Sequence, residues 1–172
     1  MKEMRAFIAI KVTPNDDIRV ILKTLKTMGK TVQPENIHLT LKFLGEIRET
    51  QEIVENLKKI ELEKFVLEMS GIGAFPSLRK GRVVFINAGP EEKLIELARK
   101  VDSATPSITT DHPFSPHVTL LRSKVTQDFS SFAERVGNRI VQKQQVGHFS
   151  LYESQLTASG PIYTELIRFD LI

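Results

Sequence analysis

Two short stretches, Ile37-His38-Leu39-Thr40-Leu41 and Pro116-His117-Val118-Thr119-Leu120, constrain this chain more than any other feature in it. In each, aliphatic residues alternate with polar ones at a period of two, the pattern of a strand with one buried face. Residues two apart in a strand share a face. His38 and Thr40 therefore lie on one face and Leu39 and Leu41 on the other; His117 and Thr119 stand in the same way against Val118 and Leu120. Two such pairs set opposite each other would form a polar pocket with two proton-transfer groups and two hydroxyl donors.

The chain around these stretches reads as alternating strands and helices. Met4 to Lys11 is a strand with Ala6, Ile8 and Ile10 toward a core and Arg5, Phe7 and Ala9 on the opposite face. Thr13-Pro14 opens a helix, with Asp16 and Asp17 complementing its positive end and Ile18, Ile21, Leu22 and Leu25 forming its apolar stripe. The first His-Thr strand runs from Ile37 to Leu44 and closes at Gly45. A second helix follows from Thr50 to Ile60, then a strand from Phe65 to Ser70. Gly71 to Gly81 reads as a connection between halves. Arg82 to Ala88 is a strand, and Glu91 to Ala104 a helix with Leu94, Leu97, Ala98 and Val101 buried. A loop from Thr105 to Ser115 delivers the second His-Thr strand. Phe129, Phe132, Ala133 and Val136 mark a fourth helix, and strands over 143–153 and 162–171 close the chain.

The two halves match in order: strand, helix, His-Thr strand, helix, strand. The two histidines stand 79 residues apart, and Phe7 precedes His38 by 31 residues where Phe85 precedes His117 by 32. Near-equal spacing is the mark of a repeated unit. The expected fold is α+β: two mostly antiparallel sheets in a bilobal, pseudo-twofold arrangement, helices on the outer faces and the active-site cleft between lobes. Residues 1–172 are expected to form a single bilobal domain, with approximate repeat halves at 1–75 and 80–172 and strands exchanged between lobes.

Composition narrows the chemistry. The chain has 172 residues, four histidines and no cysteine, so a thiolate nucleophile and a Cys-type metal site are excluded. No apolar run approaches the ~18 residues of a membrane span, and the first strand begins too early for a signal peptide; a cytoplasmic protein and a monomer are expected. The net charge of +3 suits a phosphate-bearing ligand without arguing for a long duplex.

The longer motifs carry a resemblance. Asn36-Ile37-His38-Leu39-Thr40-Leu41-Lys42-Phe43-Leu44-Gly45 and Phe114-Ser115-Pro116-His117-Val118-Thr119-Leu120-Leu121-Arg122 resemble the paired signatures of the two-histidine phosphoesterases, and within them the RNA 2′,3′-cyclic phosphodiesterases, also called 2′-5′ RNA ligases. Arg5-Ala6-Phe7-Ile8-Ala9-Ile10, Ser154 and Gly160-Pro161-Ile162-Tyr163 are similar to that family as well. Two positions depart from its pattern: Thr31 where members often carry an aromatic, and Phe85 in place of a common Trp. The resemblance implies a cleft between lobes, no metal and no cofactor, RNA ends such as tRNA fragments bearing a 2′,3′-cyclic phosphate as partners, and opening of that phosphate to a 2′-phosphate. It also implies reverse joining of ends through a 2′-5′ linkage in some members.

The residues suit such chemistry. Two imidazoles titrating near 6.5 can supply one acid and one base near neutral pH; the resemblance assigns His38 as acid and His117 as base. The Thr40 and Thr119 hydroxyls can donate to non-bridging phosphate oxygens. By resemblance Arg122 is the phosphate-binding cation, although strand parity from His117 turns it away from the cleft. Phe7 and Phe43 are candidates for stacking on a base; parity favours Phe7 and not Phe43, and places Lys42 on the cleft side. His112 and His148 lack a Thr partner and are expected at the surface. No zinc-ligand spacing is present. Two other readings remain open: an RNA- or nucleotide-binding module without turnover, and a phosphodiesterase acting on another cyclic or 2′,5′-linked nucleotide.

Overall fold

The structure, a computed structural model, describes residues 2–172. The elements run β1 (Met4–Lys11), α1 (Asp16–Leu25), β2 (Lys30–Thr31), a 3₁₀ turn (Pro34–Asn36), β3 (His38–Ile47), α2 (Gln51–Leu57), β4 (Phe65–Pro76), β5 (Gly81–Gly89), α3 (Glu91–Ala104), β6 (His117–Gln127), α4 (Ser130–Val136), β7 (Ile140–Val146), β8 (His148–Thr157) and β9 (Gly160–Asp170).

They build two antiparallel sheets, ordered β3-β1-β8-β9 and β2-β6-β5-β4-β7. Each sheet holds one His-Thr strand, β3 in the first and β6 in the second, and these two strands come into contact where the sheets meet. The fold is α+β and bilobal, as the alternating periods imply. Sheet membership crosses the two sequence halves: β4 joins the second sheet, while β8 and β9 complete the first.

One apolar core runs through both lobes. The α1 stripe of Ile18, Ile21, Leu22 and Leu25 and the α3 stripe of Leu94, Leu97, Ala98 and Val101 are buried in it, with Ile8, Ile10, Leu39, Val118 and Leu120 from the strands. Burial on this scale, at about 25 cal/mol per Å² of apolar surface, holds the two sheets in fixed relation.

Several boundaries differ from the sequence reading, each for a local reason. The first helix is capped by Asn15, whose Oδ1 accepts from Ile18 N at 2.9 Å. Thr13 is unavailable as a cap because β7 holds its backbone: Gln144 Oε1 accepts from Thr13 N and Gln142 Nε2 donates to Thr13 O. The strand from Phe65 does not end at Ser70. Gly71, at φ +77°, forms a bulge; before it β4 pairs with β7 and, at Glu68 and Met69, with β5, after it with β5 alone, and Asn87 Nδ2 donates to the Gly71 carbonyl at 3.0 Å. Gly71 to Pro76 is therefore strand, and only residues 77–80 form the turn into β5. The expected strand over 143–153 is broken at Gly147 into β7 and β8, which belong to different sheets.

Candidate active site

Both His-Thr strands depart from simple alternation at the same step. In β3, Thr40 pairs with Ala9 and Lys42 with Ile8, so Leu41 is the extra residue of a bulge. In β6, Thr119 pairs with Phe85 and Leu121 with Val84, so Leu120 is the extra residue. Two consecutive side chains after each Thr thus enter the core: Leu41 and Lys42 in one strand, Leu120 and Leu121 in the other. The residue after each bulge returns to the histidine face. This reverses three parity expectations. Arg122 points to the cleft, Phe43 joins His38 and Thr40 on the cleft wall with 60% of its surface exposed, and Lys42 is buried. The Lys42 ammonium donates to Asp102 Oδ1 (2.6 Å), Thr105 Oγ1 (2.9 Å), Thr105 O (3.1 Å) and Ile108 O (2.6 Å).

The two histidines are held in the same way. Nδ1 of His38 lies 2.6 Å from the Asn36 carbonyl, and Nδ1 of His117 lies 2.6 Å from the Ser115 carbonyl. A carbonyl oxygen only accepts, so each Nδ1 carries a proton and donates it. That fixes the tautomer and leaves each Nε2 free to take or give a proton. Residue i−2 supplies the anchor in both motifs, through the 3₁₀ turn at Pro34–Asn36 in one case and the Ser115-Pro116 entry to β6 in the other.

Aromatic packing then fixes each ring. Phe7 lies 5.0 Å from the His38 ring, stacks on Tyr152 at 5.3 Å and meets Tyr163 edge-on at 4.9 Å. It is 4% exposed, so its faces are occupied by protein; Phe7 supports His38, and the open aromatic face on this lobe is that of Phe43. Tyr163 meets His38 edge-on at 5.3 Å. A recess beside His38 is lined by Phe7, Lys11, Glu35, Tyr152, Tyr163 and Glu165. On the other lobe, Phe75 and Phe85 each lie 5.2 Å from the His117 ring.

The electrostatics bring the two lobes together. Burial pushes the His38 imidazole below its ordinary 6.5; the Asn36 carbonyl opposes this, while the charges of Arg122 and His117 push it further down. Arg122 acts also on Tyr163 of the first lobe. His38, His117 and Arg122 therefore share one electrostatic site across the cleft, with Thr40 and Thr119 half-buried on the same faces. His112 is exposed, and His148, partly buried at the start of β8, faces Arg168, Glu165 and Asp170 instead. Among the described residues no group of three or more His, Asp or Glu side chains could hold a metal ion.

Sequence reasoning missed the two carbonyl anchors, Tyr152 and Phe75, and marked Tyr163 by resemblance without giving it a role. The repeated offset of two between His and its anchor was visible; the position of Phe75 was not, because it follows from the continuation of β4.

Two sheets that each present a tethered histidine and a threonine to a shared cleft define a two-histidine phosphoesterase. The family model of the 2′-5′ RNA ligase superfamily matches residues 14–157, and the chain belongs to that superfamily. It is 33% identical over 176 residues to the RNA 2′,3′-cyclic phosphodiesterase of Archaeoglobus fulgidus, covering 97% of this chain and 100% of that one. It is 34% identical over 192 residues to the enzyme of that name from Aquifex aeolicus, with 99% of each covered. The crystal structure of Escherichia coli LigT in complex with 3′-AMP superposes with a TM-score of 0.80 at 28% identity, over 99% of both chains.

Proposed function

We propose that this protein hydrolyses the 2′,3′-cyclic phosphate at the end of an RNA to a 2′-phosphate, using two histidines and no metal ion. The observation that carries the reading is the pair of Nδ1-tethered imidazoles, each with a free Nε2, set on facing sheets beside Arg122. Its relatives bear the name of this activity.

In this reading the phosphorus lies between the imidazoles. His117 Nε2 takes a proton from water as the water oxygen bonds to phosphorus. The P–O3′ bond breaks, and O3′ takes a proton from His38 Nε2. Both histidines end with exchanged protonation states and are reset by solvent. The Thr40 and Thr119 hydroxyls donate to the non-bridging oxygens, and the Arg122 guanidinium holds their negative charge. Burial lowers the basicity of His38 in the empty site. The bound phosphate anion supplies the field that favours its charged form. An RNA 5′-hydroxyl in the place of water would give the reverse 2′-5′ joining. The reading carries with it a cytoplasmic setting and RNA ends such as tRNA fragments as substrates.

The test is incubation of the protein, freed of metals and held in EDTA, with an oligonucleotide ending in a 2′,3′-cyclic phosphate. The expected product ends in a 2′-phosphate. A 3′-phosphate product, an inert protein, or activity that returns only on adding magnesium or zinc would reject the reading.

A further inference from the structure

Among the described residues, two large aromatic side chains are strongly exposed, Phe43 at 60% and Phe75 at 40%. Leaving a Phe ring in water forgoes about 25 cal/mol per Å² of apolar burial. Both lie at the cleft, one on each lobe: Phe43 beside Phe7 at 6.3 Å, and Phe75 at 5.2 Å from His117. The proposed function needs one base platform for the terminal nucleotide. The site has two.

The second platform is built into the sheet. Phe75 rests on Phe85, ring centroids 4.6 Å apart. The Phe85 ring in turn lies over Gly73, where a Cβ would come within 2.5 Å of two ring carbons. Glycine at this position thus lets Phe85 lie flat and carry Phe75 outward. The pairing register extends the shelf sideways, because directly paired residues share a face. Phe75 pairs with Val83, Val83 with Arg122, and Arg122 with Lys30. One row therefore runs from an exposed aromatic to two exposed cations, on the face that holds His117 and Thr119. Phe75 and Arg122 stand two strand spacings apart, roughly 10 Å, a span that one nucleotide bridges between its base and its phosphate.

We infer that the row Phe75, Arg122 and Lys30 is a second nucleotide subsite, which holds the nucleotide preceding the cyclic phosphate. Its base stacks on Phe75; Arg122, whose five N–H donors can serve two anions, keeps the cyclic phosphate on one side and with Lys30 faces the phosphodiester that joins the two nucleotides on the other. The substrate is then an oligonucleotide end rather than a free cyclic nucleotide. This rests on the phosphodiesterase reading and sharpens it.

The experiment compares kcat/KM on uridine 2′,3′-cyclic phosphate with kcat/KM on a trinucleotide that ends in the same group, for wild type, Phe75→Ala, Phe75→Tyr and Lys30→Ala. The ratio of the two values reads the subsite, since a disturbance of His117 lowers both alike. Stacking of one base on an aromatic ring predicts a wild-type preference for the trinucleotide of about tenfold or more. Phe75→Ala should bring the ratio close to one, Phe75→Tyr should keep it, and Lys30→Ala should reduce it while making the remaining preference less dependent on salt. A wild-type ratio near one, or a ratio unchanged in Phe75→Ala, would overturn the inference. Binding of the 2′-phosphorylated trinucleotide and of uridine 2′-phosphate, measured by calorimetry, separates the two levels. A protein that turns over neither substrate but binds the trinucleotide more tightly through Phe75 keeps the subsite and loses the phosphodiesterase reading.

Discussion

Lys42 and Leu121 occupy matching places in the two His-Thr strands: each is the second of two consecutive residues that a bulge turns into the core after the threonine. One lobe fills that place with an isobutyl group. The other fills it with an ammonium that holds the end of α3 and the start of the loop leading to Ser115, the residue that anchors His117.

Lys42→Met should therefore destabilise the protein. It leaves the Thr105 and Ile108 carbonyls without their donor, at a cost of about 1–3 kcal/mol for unsatisfied buried groups. Asp102 is largely exposed and can return to water. Urea unfolding of the two proteins measures the difference. A change below about 0.5 kcal/mol, the usual range for an exposed lysine, would mean that the buried cage contributes nothing.

Phe7 and Phe43 are neighbours on the cleft wall and should respond in opposite ways. Phe7 is 4% exposed and packed by Tyr152, Tyr163 and His38, so Phe7→Ala should cost about 3–5 kcal/mol of stability and slow turnover by loosening His38. Phe43→Ala should alter stability by less than about 0.5 kcal/mol and raise KM by about tenfold through loss of a stacking face. Thermal unfolding and steady-state kinetics on the two variants give the comparison; equal effects on stability would refute it.

His38 gives the site a pH signature. Burial lowers its pKa in the folded protein from 6.5, so between that value and the lower folded one the unfolded chain binds more protons than the native state. Stability associated with neutral His38 is present above pH 6.5 and is lost as the pH falls through the folded value. His38→Asn should flatten this part of the stability profile. Adding uridine 2′-phosphate should raise the His38 pKa, because the anion favours the imidazolium. Histidine ring NMR titration, with the resonance assigned from His38→Asn, tests both; a His38 pKa at or above 6.5 without ligand would contradict the buried placement.

Much of the site was legible because it depends on the two strongest local signals. Period-two alternation put His38 with Thr40 and His117 with Thr119, and the helical stripes of α1 and α3 placed the outer layers. The errors share one cause. Leu41-Lys42 and Leu120-Leu121 look like further alternation, but pairing with β1 and β5 inserts a residue in each strand, and that is decided by the partner strand rather than by the local sequence. The same holds at Gly71, where a bulge continues β4 and carries Phe75 to His117. The N-cap moved from Thr13 to Asn15 because Gln142 and Gln144, more than a hundred residues away, occupy the Thr13 backbone.

The division of labour between the two motifs can be separated by single-turnover cleavage of an oligonucleotide 2′,3′-cyclic phosphate. His38→Ala and His117→Ala should each slow the reaction by about 10²–10⁴-fold, the usual contribution of a positioned acid or base. Neither ring belongs to the main core, so both variants should unfold cooperatively and bind uridine 2′-phosphate measurably. Thr40→Ala and Thr119→Ala should cost less, about 1–3 kcal/mol of transition-state stabilisation, or up to about 10²-fold, because each removes one neutral donor. The double variant His38→Ala/His117→Ala should be little slower than either single one, since proton removal and delivery act as a unit. The shared tether gives a further contrast: replacing Asn36 should leave His38 in place, because the anchor is its main-chain carbonyl and not its side chain. Asn36→Ala should therefore lose only the hydrogen bond from Asn36 Nδ2 to the Pro161 carbonyl and keep most of the single-turnover rate. If both histidine variants kept more than about a tenth of the wild-type rate, or if their effects simply multiplied in the double variant, concerted transfer between the two rings would be wrong.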